Sequence, residues 1–358
     1  MAQIDAFFQM LKETGASDLH LSSGAQPVLR INGRIERIKY KILQNEDIKS
    51  LLYEIAPEHC IKAFEETGDL DFAYASPGIG RFRANYFRQE RGTAASFRAI
   101  PETVPSLADL GLPDILAELA MRPKGLVLVT GPTGSGKSTT LAAMIRHALE
   151  ARRDHVITVE DPIEFIHASA GCLINQREVG RDTKSFSAAL RGALREDPDI
   201  ILVGEMRDLE TIELALEAAE TGHLVLSTLH TVSAAKTVDR IIDVFPGDRQ
   251  AQIRSALSES LIAIISQVLF RRTDAPGRLL AQEILLATTA VRNLIRENKV
   301  FQIFSVMETG RKLGMRTLDD AMLDLLAAGR INGLDAWRNA TNKGRFSEHA
   351  PQSAAREA

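Results

Sequence analysis

A phosphate-binding loop is indicated by the segment GPTGSGKS at residues 131–138, which follows an apolar run and precedes an amphipathic one. Its glycines let backbone N–H groups turn toward one anion, and the amino end of a following helix adds partial positive charge. The lysine can reach the β- and γ-phosphates, while the serine after it can ligate Mg²⁺. We therefore expect ATP and Mg²⁺ as cofactors, with these loop residues as ligands: Gly131, Thr133, Gly134, Ser135, Gly136, Lys137, Ser138 and Thr139.

Carboxylates follow two further apolar runs, HVITVE at 155–160 and DIILVGE at 199–205. Glu205 occupies the position of a Walker B acid, although Gly204 precedes it where many P-loop enzymes carry Asp. We expect Glu205 to hold Mg²⁺ through water, with Ser138 as the direct metal ligand. A base must then come from elsewhere, and Glu164 is the first choice. The remaining catalytic candidates near these strand ends are Glu160, Glu205 itself as a reserve base, and Arg207.

Two histidines, His223 and His230, flank an apolar run in TGHLVLSTLHT at 221–231. In an extended strand they would lie ~23 Å apart and point to opposite faces, so they cannot chelate one metal ion. His230 is expected at the carboxyl end of the strand, where it could hydrogen-bond the γ-phosphate or an acid near it. His223 follows Gly222, a candidate helix cap, at the far edge. Geometry favours a structural or interfacial role for His223, and both histidines remain catalytic candidates.

These residues need a parallel sheet to position them. The apolar runs at 125–130, 155–160, 199–205 and 223–229 alternate with helical patterns, as expected for strands buried on both faces in an α/β domain. Ligands bind such sheets at the carboxyl ends of the strands. RLLAQEILL (278–286) is predicted as one more strand, and LIAIISQVLF (261–270) as a buried helix. We place this α/β core at 114–286, a helical region at 287–343 and a disordered polar tail at 344–358.

Residues 1–100 are predicted to form a smaller α+β domain, joined to the core by a proline-rich linker at 101–113. Asn32-Gly33 indicates a hairpin, a helical stretch is expected at 45–66, and strand-like runs follow at 69–75, 80–90 and 93–100. Within GRFRANYFRQE (80–90), arginines alternate with apolar residues, so one strand face is free to meet a negative group. The candidates for contacting the γ-phosphate across a domain or subunit boundary are Arg81, Arg83, Arg88 and Arg98.

Composition restricts the remaining possibilities. The net charge of −4 argues against non-specific nucleic-acid binding, and aromatic residues opposite the arginine face weaken a base-stacking use of those arginines. Cys60 and Cys172 form no C-x-x-C pair, which fits a reducing compartment. No secretory signal or apolar run of about 20 residues is present. We expect a cytoplasmic protein that reaches the inner membrane only through partners.

Taken together, the motifs resemble those of the secretion-superfamily ATPases, the hexameric motors of type II secretion and type IV pili. The resemblance covers about residues 1–345. GPTGSGKSTT resembles the Walker A segment of that family, ITVEDPIEF its Asp box, DPDIILVGEMRD its Walker B segment and TGHLVLSTLHT its His box. The Gly-Glu form of Walker B is itself the family pattern. The small N-terminal domain is PAS-like in this family.

Within the family, AVRNLIRE at 290–297 is similar to the AIRNLIRE motif of the pilus-retraction branch, with Val291 in place of Ile. The resemblance implies a homohexameric ATPase for pilus retraction and twitching motility. It also implies an inner-membrane platform protein, the pilin system and a paralogous ATPase as partners, and no nucleic acid.

Three alternatives stay open at this stage. A pilus-extension or type II secretion ATPase would usually carry a tetracysteine insertion, and this chain has no such cluster. A RecA-like nucleic-acid motor would be stimulated by DNA or RNA. For a nucleotide switch that does not hydrolyse ATP, turnover would be unchanged when Glu164 is replaced by Gln.

Overall fold

The computed structural model describes residues 2–31, 33–101 and 103–351 of the chain. They form two compact units, the first comprising Met1–Val104 with Pro162–Ile166 and the second Pro105–Asp161 with His167–Ala358. The predicted core span of 114–286 is therefore interrupted by a short segment that packs with the first unit. That segment contains Glu164.

The first unit is built on an antiparallel sheet with strand order β3-β2-β1-β6-β5-β4. The predicted hairpin is confirmed by the pairing of Ile31 with Arg34, while Asn32 lies outside the described residues. The helical stretch expected at 45–66 is present as two helices, because Pro57 cannot continue the first. The elements are α1 Asp5–Thr14, β1 Asp18–Ser22, β2 Val28–Ile31, β3 Arg34–Arg37, α2 Asn45–Ile55, α3 Glu58–Thr67, β4 Asp69–Ser76, β5 Gly80–Gln89 and β6 Gly92–Ile100.

Strand β5 shows the predicted alternation. Phe82, Ala84 and Tyr86 are buried, whereas Arg83 between them is exposed. Phe82 stacks on Phe8 of α1 with ring centroids 4.1 Å apart. The apolar face of the strand therefore covers the core of this unit, and the aromatic rings are not available for base stacking.

The second unit contains a mostly parallel sheet with strand order β13-β12-β7-β11-β10-β8-β9. All four predicted parallel strands are present, and the central ones are completely buried because helices cover both faces. Its elements before the C-terminal region are α4 Ile115–Ala120, β7 Gly125–Thr130, α5 Lys137–Ala151, β8 His155–Glu160, β9 Leu173–Glu178, α6 Phe186–Ala193, β10 Ile200–Val203, α7 Leu209–Thr221, β11 Leu224–Leu229, α8 Ala234–Asp243, α9 Gln250–Ser260, β12 Leu261–Arg271 and β13 Arg278–Leu286.

The prediction of a buried helix at 261–270 is wrong, because this segment is strand β12. It pairs in parallel with β7 and antiparallel with β13. A mainly apolar run of ten residues fits either a buried helix or a strand buried on both faces, and the β-branched residues here favour the strand. Composition is therefore the signal that distinguishes the two structures in this segment. Strand β9, which pairs in parallel with β8 at the sheet edge, was not predicted.

The C-terminal region is helical, as predicted. Its helices are α10 Thr289–Arg296, α11 Ile303–Thr309, α12 Leu318–Ala327 and α13 Gly333–Asn339, with short 3₁₀ segments at Val300–Gln302, Arg311–Leu313 and Lys343–His349. The last segment corrects the expectation of disorder from residue 344, because Phe346 is buried in a small apolar cluster with α12 and α13. Residues 352–358 lie outside the described part of the chain. Within the described ranges, no helix is long and apolar enough to cross a membrane.

Candidate nucleotide site

The phosphate loop joins the carboxyl end of β7 to the amino end of α5, as the sequence predicts. Gly134 and Gly136 adopt φ of 77° and 89°, a left-handed conformation that favours glycine. Gly131 has a second constraint, because a Cβ there would lie 2.4 Å from the backbone oxygen of Gln267 and 2.6 Å from Ser135 Oγ. The loop can therefore close only around glycine at these positions.

Lys137 begins helix α5 and is buried, with Nζ donating to the carbonyls of Gly131 and Pro132 at 3.0 and 3.2 Å. The ammonium thus lies over the loop where a phosphate chain would run. Ser138 and Thr139 follow on the first turn and are half-buried, whereas Thr133 and Gly134 are exposed at the tip of the loop.

The carboxyl ends of four parallel strands lie at one edge of the sheet. Thr130 at the end of β7 pairs with Leu229 at the end of β11, and Val203 at the end of β10 pairs with Val159 of β8. The residues that follow these ends are the ones predicted from sequence. This edge therefore brings together the phosphate loop, His230, Glu205 and Glu160.

Gly204 explains the absence of an Asp before Glu205. A Cβ at position 204 would lie 3.2 Å from the carbonyl oxygen of Val159 and 3.3 Å from Glu160 Cα, so the two strand ends approach too closely for a side chain. The Gly204 N–H donates to that carbonyl at 2.8 Å. Glycine here allows β8 and β10 to place Glu160 and Glu205 side by side.

Glu205 accepts two side-chain hydrogen bonds on the same oxygen, Oε1. Arg207 Nε lies 2.5 Å away and His230 Nε2 lies 3.1 Å away. Burial by itself raises the pKa of this carboxyl, but the hydrogen bond from Arg207 and the charges of His230 and Arg207 outweigh it, so the pKa of Glu205 is lowered. The structure thus places His230 on an acid at the carboxyl edge, as predicted for it.

Glu160 is held differently. Thr158 Oγ1 donates to its Oε1 at 2.7 Å, and Gln176 Nε2 of β9 donates to the same oxygen at 3.3 Å. The missed strand β9 is therefore part of the site. Glu164 lies in the segment that packs with the first unit, is half-buried, and has no hydrogen-bond or ion-pair partner among the described residues.

His223 lies at the opposite edge of the sheet, one residue before β11. Its Nδ1 and its backbone N–H both lie within hydrogen-bond distance of the carbonyl of Ala218, at 2.9 and 3.1 Å. Gly222, with φ of 128°, is the C-cap residue of α7 and directly precedes His223. His223 therefore closes the carboxyl end of a helix, in agreement with the structural interpretation that geometry favours.

The arginines of the first unit have local partners. Arg83 lies 3.7 Å from Asp71, Arg98 Nε donates to Asp18 at 2.8 Å, and Arg88 donates to the carbonyl of Glu65 at 2.7 Å. Arg81 also has an interaction partner. Arg98 remains largely exposed despite its ion pair.

Mg²⁺ is the metal that the loop implies, and the donors present are oxygens, which this hard cation prefers. Ser138 Oγ has no hydrogen-bond partner among the described residues, and both bonds to Glu205 fall on Oε1, leaving Oε2 to accept from a metal-bound water. Within the described ranges, no cluster of three His, Cys, Asp or Glu side chains could hold a metal ion. The residues therefore fit a cation held mainly by phosphates and water.

A parallel sheet, a phosphate loop between β7 and α5, and acids after the neighbouring strands define a P-loop nucleoside triphosphatase with a RecA-like core. The family model described as "Type II/IV secretion system protein" matches residues 80–332, so this chain belongs to that family.

Curated relatives and solved structures extend the assignment. The chain is 53% identical to the type IV pilus retraction ATPase PilT of Pseudomonas aeruginosa, over 94% of this chain and 96% of that protein. It is 52% identical to a twitching motility protein of Neisseria gonorrhoeae, over 88% and 84% of the two chains. A crystal structure of the pilus retraction motor PilT with bound ADP matches with a TM-score of 0.90 and 47% identity, covering 97% of this chain and 99% of that chain.

Proposed function

We propose that this chain is an ATP-hydrolysing motor that powers type IV pilus retraction and twitching motility. The observation that carries the proposal is the cluster at the carboxyl edge of the sheet, where a complete phosphate loop adjoins the hydrogen-bonded group Glu205–Arg207–His230. Similarity along nearly the whole of the chain to a pilus retraction ATPase supports the choice of that motor.

In the proposed site, the loop N–H groups and Lys137 bind the phosphates, and Ser138 ligates Mg²⁺ directly. Bound Mg²⁺ would neutralise charge on the β- and γ-phosphates. Glu205 would hold the Mg²⁺ through water, and Arg207 and His230 fix the orientation of the Glu205 carboxylate. His230 senses the γ-phosphate through this acid. Glu164 is the general base that accepts the proton of the attacking water, and Glu160 is the reserve.

The motor acts as a homohexamer in which the first unit supplies arginines to the nucleotide. Arg81, Arg83, Arg88 and Arg98 are the candidates. The side chain of Arg98 is 71% exposed despite its ion pair with Asp18, whereas that of Arg83 is 43% exposed beside Asp71. The ring works in the cytoplasm on an inner-membrane platform protein and releases pilin into the membrane. A paralogous ATPase is a further partner, and PilU of P. aeruginosa is a 39% identical relative of this chain.

The catalytic assignment is tested with two variants of the purified full chain. Lys137→Ala should lose both nucleotide binding and turnover, because the phosphates lose their only buried cation from the loop. Glu164→Gln should keep nucleotide binding but lose turnover by about two orders of magnitude or more, the scale for a missing general base. Unchanged turnover in Glu164→Gln would contradict Glu164 as the base. If the wild type hydrolyses ATP, that result would transfer the role to Glu160 or Glu205, and if the wild type does not, it would indicate the nucleotide switch.

Matched controls are available in the same unit. Lys124→Ala changes an exposed lysine at the other end of β7, and Glu150→Gln changes an exposed acid at the end of α5. Both should retain binding and turnover.

The biological assignment is tested by deleting the gene. Hyperpiliated cells without twitching support retraction, whereas cells without pili would indicate an extension motor. Strong stimulation of ATPase activity by DNA or RNA would indicate a nucleic-acid motor instead.

A further inference from the structure

Strand β12 lies directly against the phosphate loop, although none of the sequence motifs of the site includes it. Ser266 Oγ lies 2.8 Å from Thr130 Oγ1, the last residue before the loop. The backbone oxygen of Gln267 approaches Gly131 so closely that a Cβ there would lie 2.4 Å from it. Consecutive residues of β12 thus contact the point where the loop begins.

Gln267 also reaches the other side of the loop. Its side chain is 1% exposed, and Nε2 donates to Thr140 Oγ1 at 2.8 Å. Thr140 is itself buried, and it lies on the first turn of α5, three residues after Lys137. A single residue of β12 therefore holds both ends of the loop, by its backbone at Gly131 and by its side chain at Thr140.

The contact is closed to water, since Gln267 and Thr140 are each 1% exposed. An amide placed there has a cost unless its hydrogen bonds are made, and Gln267 Oε1 has no hydrogen-bond partner in the described structure. Leucine or methionine would fill the same volume without that cost. A contribution to packing alone therefore does not account for glutamine at this position.

We propose that Gln267 is a positioning residue for the nucleotide. It fixes the first turn of α5 relative to the end of β7, and hence the location of Lys137 and Ser138 relative to the loop N–H groups. This inference rests on the proposed function, because it assumes that the loop binds nucleotide phosphate. Gln267 acts through Thr140 and the loop and does not touch the nucleotide.

The test measures the affinity of a fluorescent ATP analogue, together with KM and kcat for ATP, in the full chain. Gln267→Met preserves the side-chain volume but removes the hydrogen bond. We expect about three- to tenfold weaker affinity and an equal rise in KM, the scale of one buried hydrogen bond, with kcat nearly unchanged. Thr140→Val should give the same shift, and the double variant should be no weaker than either single one.

Two controls separate positioning from general stability. Gln282 faces Gln267 in register on β13 and is also buried, so Gln282→Met makes the same chemical change without touching the loop. It should leave the affinity unchanged even where it shifts the unfolding temperature. Thr140→Ser keeps the hydroxyl and should restore the affinity that Thr140→Val loses.

The outcomes are distinguishable. If Gln267→Met and Gln282→Met lower the unfolding temperature alike and neither alters KM, Gln267 is only a core residue and the proposal is overturned. If Gln267→Met does not fold, Thr140→Val and Thr140→Ser decide between the two interpretations. Lys137→Ala is measured in the same titration, and undiminished binding by that variant would instead overturn the nucleotide site itself.

Discussion

The two edges of the large sheet use the same residue types in opposite ways. At the carboxyl edge, Arg207 and His230 bond to the side chain of Glu205. At the amino edge, His223 lies on the carbonyl of Ala218. Arg292 of α10, in the AVRNLIRE segment, donates to four carbonyls, those of Ser258, Glu259, Leu261 and Ala287, at 2.5–2.9 Å.

The two edges differ in the group that the arginine and histidine side chains contact, which is a carboxylate at the carboxyl edge and backbone carbonyls at the amino edge. An arginine or histidine side chain that contacts backbone carbonyls around the end of a helix completes the fold, because the last turn of a helix lacks the full set of intrahelical donors. A cation that bonds to a partly exposed carboxylate leaves both groups able to change partners when a ligand arrives. We therefore expect substitutions at the carboxyl edge to alter turnover and those at the amino edge to alter stability.

The largest effect is expected for the acids. Glu205→Gln should lower turnover by about two orders of magnitude, because the metal-bound water loses its charged acceptor. Glu283→Gln, in buried strand β13, should keep turnover within about twofold, since Glu283 accepts from the Ala234 N–H and has no role at the loop. Steady-state ATPase assays of both variants make the comparison, and equal losses would contradict it.

Arg292 is expected to give the next largest effect. Arg292→Met should lower the free energy of unfolding by about 2 kcal/mol, because charge-assisted hydrogen bonds to the end of α9 are lost and buried carbonyls are left unpaired. Arg207→Met removes an ion pair in which the arginine is largely exposed and Glu205 keeps its bond to His230, so stability should change by less than about 1 kcal/mol. Urea unfolding measures both variants, and ATPase assays should rank them in the reverse order.

The AVRNLIRE segment shows what sequence pattern could and could not predict. The i, i+3 and i+4 spacing puts Val291, Leu294 and Ile295 on one helical face, and in the structure Val291 and Ile295 are fully buried and Leu294 is half-buried. It could not show that Arg292 turns back onto α9, because the carbonyls that it binds lie about 30 residues earlier in the chain. A role of this helix in retraction remains a prediction from family resemblance.

Elsewhere, local signals predicted local features well. The loop glycines, the strand ends and the alternation in β5 follow from residue type and spacing. The pairing of β12 with β7, which lies far earlier in the chain, is not recorded in the local pattern, although the β-branched residues of β12 favoured a strand. Strand β9 pairs with the preceding strand β8 at the sheet edge and is mostly half-buried or exposed, so it lacks the apolar run that marks the other strands. Gln267 was not predicted as a site residue, although a glutamine inside an apolar run was a visible signal.

The histidines should differ by about one order of magnitude in turnover. His230→Asn removes the hydrogen bond to Glu205 from Nε2 and should lower turnover about tenfold, because the acid loses one of its two orienting partners. His223→Asn should leave turnover unchanged and lower the unfolding temperature slightly, since the carboxyl end of α7 loses a side-chain contact. A loss of turnover in His223→Asn with normal stability would assign that histidine to an interface or to catalysis.

The smallest expected effect is the pH dependence of stability, in which two buried acids, Glu283 and Asp320, should differ. Burial raises the pKa of Glu283, despite hydrogen bonds from the N–H groups of Ala234 and Leu318, and nearby Asp319 raises it further. A raised pKa means that the contribution of this group to stability is complete below its unfolded-state pKa and is lost as the pH rises through the folded-state value. The stability of the wild type relative to Glu283→Gln should therefore decrease as the pH rises above 4.5, the ordinary value for Glu.

The contribution of Asp320, on helix α12, to stability should depend on pH in the opposite direction. Burial raises the pKa of its carboxyl, but hydrogen bonds from Arg345 and Arg311 outweigh burial, so the pKa is lowered. Its stabilising contribution is present above the unfolded-state pKa and is lost as the pH falls through the folded-state value. Thermal unfolding of the wild type, Glu283→Gln and Asp320→Asn should show that the contribution of Glu283 decreases as the pH rises above 4.5, whereas the contribution of Asp320 decreases as the pH falls below 3.8. A parallel pH dependence of the two contributions would show that general acid sensitivity, and not the environments of the two carboxyls, controls their contribution to stability.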